Sequence, residues 1–211
     1  MEHAEVSRRR RMVRRFDPER PVSSSALDEL LAAALRAPSA GDTQGVSLLV
    51  LDTPAAVSAY WSATARPGPA DRWLQGMRTA PALILVWTSR EAYLDRYAEP
   101  DKGWSDRDPD RWSAPYWYVD GGMTGMAVLL AAVDLGLGAC FFGLPPDRTE
   151  AVRTAFEVPA EQLSVGVVAV GHPAPESTPG GRRRRRRREP AERTHHGQWG
   201  TSSPDGDLRS V

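Results

Sequence analysis

From Val119 to Leu135 the chain reads "VDGGMTGMAVLLAAVDL", which on a helix would be apolar around much of its circumference. Such a segment has no wide polar face to turn to water, so it predicts a helix running through the middle of a core, with Gly136 placed to end it. Its longest purely apolar stretch, Met126 to Val133, falls well short of the roughly 18 residues that suggest a membrane span. The rest of the chain must therefore supply the layers that bury it.

Short apolar runs bounded by turn residues supply candidate strands at 46–51 ("VSLLVL"), 82–87 ("ALILVW") and 163–171 ("LSVGVVAVG"), with a shorter extended piece at 139–143 ("ACFFG"). The segment "SSSALDELLAAALRAPS" predicts an amphipathic helix with Leu27, Leu30, Leu31, Ala34 and Leu35 on one face. Ser25 and Asp28 fit a capping box at its start, and Pro38 marks its end. "PPDRTEAVRTAF" predicts another helix, opened by proline and aspartate. Helices and strands alternate, so the fold class is α+β or α/β, built in layers.

Between about residue 90 and Pro115 the chain is polar, carries scattered tryptophans and follows neither period. It reads as a surface excursion, either a lid that includes Trp104, Trp112 and Trp117 or a plain loop anchored by tryptophan. Beyond His172 hydrophobic periodicity stops. The expected organisation is one domain over 1–175 and a basic extension over 176–211, disordered or laid over another surface.

The chain of 211 residues balances 27 Lys and Arg against 27 Asp and Glu, but seven of the cations form one run, Arg182 to Arg188. Without that run the remainder is mildly acidic, unlike the broad basic surface of a domain that tracks a nucleic-acid backbone. A run of like charge is also a common solvated tail. A single cysteine, Cys140, excludes an internal disulfide and fits a reducing compartment, and the N-terminus lacks the apolar region of a signal peptide. A cytoplasmic location is expected.

No Walker loop is present, and "GLGAC" follows a helix instead of linking a strand to one. His195 and His196 are adjacent, a spacing unsuited to paired ligands on a helix face, so no metal site is expected. Cys140, in an apolar run, reads as a small buried hydrophobe. Two segments carry binding chemistry. In "RRMVRRFD", residues 10–17, Arg10 and Arg14 would share one face of a helix and offer two guanidinium forks to an anion. "RAPSAGDTQG", residues 36–45, is a loop of small and polar residues that lets backbone approach a flat ligand, with Ser39, Asp42 and Gln44 able to fix its polar edge.

Taken together, these segments resemble the nitroreductase family of FMN-dependent oxidoreductases. That family carries an "RRSxRxF" motif near its start, a "PSxxNxQPW" loop, an "LGLGxC" segment after its long central helix and a basic C-terminal segment. Here they stand as Arg10 to Phe16, Pro38 to Gln44, Leu135 to Cys140 and the arginines before Glu189. The resemblance spans residues from about 6 to 199. It implies a central mixed or antiparallel sheet flanked by helices, in an intertwined homodimer with FMN in the interface.

The resemblance also implies site residues. Arg10, Arg11 and Met12 would hold the phosphate and ribityl end, and Arg14 would face the N1 and O2 edge of the flavin ring. Pro38, Ser39, Ala40, Asp42 and Gln44 would come from the partner chain. The backbone around Phe142, Gly143 and Leu144 would offer an N–H to flavin N5, and Arg186 and Arg188 would close over the phosphate. NAD(P)H would deliver hydride to N5, and an electron-poor acceptor such as a nitroaromatic or quinone would then be reduced, with no catalytic side chain required. Asp42, Gly45, Val46 and Met12 depart from the family's Asn, Pro, Trp and Ser. Alternatives are a related flavin-dependent dehydrogenase or dehalogenase on the same fold, and a nucleic-acid-binding protein using the arginine run.

Overall fold

A computed structural model of the chain describes residues 1–175 and 188–201. Its sheet has four strands, β1 (Val46–Leu51), β2 (Ala82–Ser89), β3 (Gly138–Phe142) and β4 (Gln162–Gly171), in the order β1-β2-β4-β3 with every neighbouring pair antiparallel. The helices of the described residues are α1 (His3–Arg9), α2 (Ser24–Leu35), α3 (Pro54–Ala63), α4 (Arg72–Met77), α5 (Arg90–Ala98), α6 (Tyr116–Asp134) and α7 (Thr149–Phe156). This is the layered α+β fold that the alternation of periods predicts.

Both faces of the sheet are covered, which is why its two central strands read as unbroken apolar runs. Leu83, Leu85 and Trp87 of β2, with Val167 and Ala169 of β4, point into a core shared with Val57, Tyr60 and Trp61 of α3 and Val152 of α7. The alternate residues Ile84, Val86, Val168 and Val170 enter a second core with Leu27, Leu30 and Ala34 of α2 and Val128, Leu129 and Ala132 of α6. The period of two in the strands thus sorts neighbouring residues into opposite layers. Helix α6 is the central helix expected from Val119 to Leu135, extended by a turn at its start and followed by Gly136 at φ 71°.

Local differences from the sequence reading have physical causes. Ser23, not Ser25, caps α2: its hydroxyl oxygen accepts the Ala26 N–H at 3.2 Å. Thr53 and Asp71 cap α3 and α4 in the same way, and neither helix shows a clean apolar stripe. Residues 90–98 are not part of a loop but form α5, started by the Ser89 cap and held by buried Tyr93 and Leu94. The remainder of the excursion is anchored by aromatic contacts: Trp112 lies 4.3 Å from Tyr97, 5.3 Å from Trp104 and 6.3 Å from Trp117, centroid to centroid.

The helical reading of 10–17 is corrected. Helix α1 stops at Arg9, and the chain beyond it is bridged to β-structure through Met12 with Ala139 and Phe16 with Pro173. Val13 donates its N–H to the Ala139 carbonyl at 2.9 Å, while Val13 and Phe16 bury their side chains. Burial of Val13 and Phe16 overrides the helical spacing of the arginines, so Arg10 and Arg14 do not share a helix face.

Leu30 is fully buried between α2 and the sheet. Leu30→Ala is expected to cost about 2–5 kcal/mol in urea unfolding; a loss under about 1 kcal/mol would contradict the packing described for α2.

Candidate functional site

The structure gathers the expected site residues into two groups on different elements. The first stands beside and after β3. Arg14 is exposed, Arg10 is half-buried, and among the described residues neither makes an ion pair. The backbone of Arg14 is pressed closely by α4: a Cβ on Gly76 would stand 2.2 Å from the Arg14 carbonyl oxygen. Burial raises the Cys140 thiol above its ordinary pKa, and the nearby Arg14 charge opposes that shift. Cys140 is therefore a buried thiol, as its apolar run predicts.

Phe142 ends β3 and is enclosed by aromatic rings, with Trp61 stacked nearly parallel at 6.1 Å and Trp73 edge-on at 5.5 Å. The exposed Gly143 that follows has nothing within 4 Å of where a Cβ would project, leaving backbone open to a flat ligand. Leu144 packs against the core below.

The second group is the loop after α2. Pro38, Asp42 and Gln44 are exposed, and Ser39 and Ala40 are half-buried. The loop turns tightly through Gly41 at φ 65°, Asp42 at φ 54° and Gln44 at φ 54°. Left-handed backbone at two non-glycine residues carries strain and needs support from outside. Ser39 Oγ accepts the Gln44 N–H at 2.9 Å, and Gln44 Nε2 donates to Asp42 Oδ1 at 3.2 Å. From α6, Asp120 Oδ2 accepts the Ala40 N–H at 2.8 Å. From α5, Arg96 Nε donates to the Gly41 carbonyl at 2.8 Å.

Both supports are themselves held. Asp120 Oδ2 also accepts the Tyr93 hydroxyl at 2.8 Å, and burial together with that bond pushes the Tyr93 pKa well upward. Arg96 makes a two-bond fork to Asp101, at 2.7 and 2.8 Å, and another bond to Glu99. Tyr93 also accounts for one departure from the family motif. A Cβ at Gly45 would stand 2.5 Å from Tyr93 Cε2, so the ring occupies the space that a side chain there would need.

Asp120, Tyr93 and Arg96 are the residues that sequence reasoning missed. A usable signal existed for Asp120 alone, an ionisable residue inside an apolar helical run. Arg186 lies outside the described residues. Arg188 is exposed and donates to the Glu192 carbonyl at 2.7 Å within its own segment. Among the described residues, no group of His, Cys, Asp and Glu could hold a metal ion, and no helix is long and apolar enough to cross a membrane. A cleft of about 580 Å³ lies elsewhere, between Pro18, α3 and the 78–81 turn, and none of the expected site residues lines it.

Similarity to known proteins, and not the fold alone, makes this chain an oxidoreductase. The chain belongs to the Nitroreductase family, whose profile matches residues 7–172. It is 28% identical over 182 residues to a Methanothermobacter thermautotrophicus protein named as an NADH dehydrogenase/NAD(P)H nitroreductase, covering 82% of this chain and 78% of the relative. A Desulfovibrio desulfuricans protein, named as a nitroreductase and solved in complex with FMN, superposes with a TM-score of 0.64 at 25% identity, covering 87% of this chain and 92% of that one. The nitroreductase CinD of Lactococcus lactis, solved with nicotinic acid, shares the fold with a TM-score of 0.73 at 20% identity, covering 90% and 97%.

Gly45→Ala is expected to destabilise the chain by about 1–3 kcal/mol through the Tyr93 ring. Thermal unfolding of the variant checks this, and an unchanged Tm would mean that the ring yields freely.

Proposed function

We propose that this chain is an FMN-dependent oxidoreductase that takes reducing equivalents from NAD(P)H and passes them to an electron-poor acceptor such as a nitroaromatic or a quinone. The observation that carries the reading is the loop at 38–44, held in left-handed backbone by Asp120 and Arg96 with Pro38, Asp42 and Gln44 exposed. Family membership and the FMN complex of a relative support the choice of flavin.

The residues present fit that cofactor. Arg10 and Arg11, with Met12 beside them, are assigned to the phosphate and ribityl end, and Arg14 to the N1 and O2 edge of the ring. A fixed cation there favours the negative charge that reduction places on that edge. The open backbone at Gly143, between Phe142 and Leu144, would offer an N–H to N5. When bound, FMN supplies the hydride-accepting and hydride-donating centre. The chain orients the ring and sets its electrostatics; no side chain is assigned as nucleophile or acid.

The loop containing Pro38, Ser39, Ala40, Asp42 and Gln44 is assigned to the site of a second copy. The outer face of α6 supports a homodimer, since Tyr116, Val119, Met123 and Met126 are each more than a third exposed along one side of a helix otherwise packed in the core. Asp42 brings a carboxylate where an amide is usual in the motif. A negative charge beside the ring disfavours its reduced form, so this member is assigned a lowered flavin potential. Arg186 and Arg188 are assigned to the phosphate end, the remaining arginines of the run having no separate role in this reading.

Purified protein is expected to carry a chromophore that heat releases and mass spectrometry identifies as FMN, at one per chain; a colourless protein that takes up no added FMN would overturn the proposal. Arg14→Ala is expected to slow NAD(P)H-driven flavin reduction by about tenfold or more with little change in Tm. An unchanged rate in stopped-flow reduction would remove the role assigned to Arg14.

A further inference from the structure

Asp120 is 1% exposed, yet its two carboxylate oxygens are used unequally. Oδ2 accepts both the Ala40 N–H and the Tyr93 hydroxyl, each at 2.8 Å. Oδ1 is buried with no hydrogen-bond partner among the described residues. Burying a carboxylate is costly, and leaving one of its oxygens unpaired adds to the cost. The packing of α6 does not call for the group: Gly121 and Gly125 make the close approach to the sheet, and the neighbouring Thr124 hydroxyl is satisfied by the Asp120 backbone carbonyl. What Oδ2 uniquely does is seize the backbone of the loop where its tight turn begins.

That turn is bonded within itself, the Asp42 N–H to the Ser39 carbonyl at 3.0 Å and the Gln44 N–H to Ser39 Oγ at 2.9 Å, and it is gripped from outside as well. Ala40 opens a single 3-10 turn, Ala40–Asp42, and left-handed backbone follows at Gly41, Asp42 and Gln44. An L-residue in that region is strained, so two of them require contacts that over-determine the loop. Asp120 grips the loop from α6, the most deeply embedded helix, and Arg96 grips it from α5. Tyr93, shared between Asp120 and the space over Gly45, joins the two supports.

We propose that Asp120 is a positioning residue for the cofactor, fixing the 39–44 loop through Ala40 and Tyr93 and thereby setting the affinity for FMN. The inference rests on the FMN reading above. It makes shape, carried by a single shared acceptor oxygen, the working feature of the residue. An asparagine can present its one oxygen to both donors and place its amide where Oδ1 now lies, whereas alanine releases both.

The test compares Asp120→Asn, Asp120→Ala and Val152→Ala, the last being a core truncation in α7 remote from the loop that matches the loss of global stability. Hydrogen exchange of the 38–45 segment is read on the FMN-free full chain, and FMN affinity by fluorescence titration. Asp120→Ala is expected to speed exchange and weaken FMN binding by about tenfold or more, with Asp120→Asn within about threefold of the wild type on both. Val152→Ala is expected to leave both unchanged. Equal effects of Asp120→Ala and Val152→Ala would overturn the proposal in favour of general destabilisation, and an Asp120→Asn variant as impaired as Asp120→Ala would overturn the shared-oxygen account. A wild-type chain that binds no FMN would sink the functional reading and the affinity half of this one, while exchange would still decide whether Asp120 clamps the loop.

Discussion

Helix α6 lies on the sheet at a close approach that its glycines make possible. A Cβ at Gly121 would stand 2.6 Å from Val165 Cγ2, and one at Gly125 would stand 3.0 Å from Phe141 Cε2. The contact brings the helix backbone down onto β3 and β4 and buries one side of it completely, with Val128 and Ala132 fully enclosed. Much of the candidate site follows from this approach. It carries Asp120 to the level of the loop after α2. It also leaves Tyr116, Val119, Met123 and Met126 facing outward as an apolar strip, the side to which a second copy is assigned.

The loop after α2 shows how a departure in one motif can be absorbed by its surroundings. With Tyr93 lying over residue 45 and bonded to Asp120, glycine is the residue that fits there. The same ring joins α5, α6 and the loop into one polar and aromatic assembly, which extends through Tyr97 and Trp112 into the segment beyond α5. That segment is packed against the loop it neighbours through Tyr97, whose ring lies 2.8 Å from where a Cβ on Gly41 would stand.

The sheet was legible in the sequence because its central strands are buried, so 82–87 and 163–171 stand out as largely apolar runs, while the edge strand 46–51 stands out as a short one bounded by turn residues. The central helix was legible for the same reason. Helices α3 and α4 were not, because Trp61, Tyr60 and Met77 meet the core without a regular stripe and only their caps at Thr53 and Asp71 mark their starts. Helix α5 was hidden by its many charged residues, which leave Tyr93 and Leu94 as the buried anchors. In the candidate site, the Arg10 to Phe16 and Pro38 to Gln44 segments stand out by their residue types, but the supports of the second were not legible. Asp120 and Arg96 act across 80 and 55 residues of sequence, a separation over which local pattern carries no information.

In the proposed arrangement a flavin is held between two copies of this chain, with the β3 group of one facing the α2–β1 loop of the other. Sedimentation of the purified full chain, followed at once by protein absorbance and by the visible flavin band, tests it most directly. The flavin band is expected to travel with a species of twice the chain mass and to be lost when that species is dissociated by dilution. A flavin band travelling with the single chain, or a protein boundary without one, would contradict it.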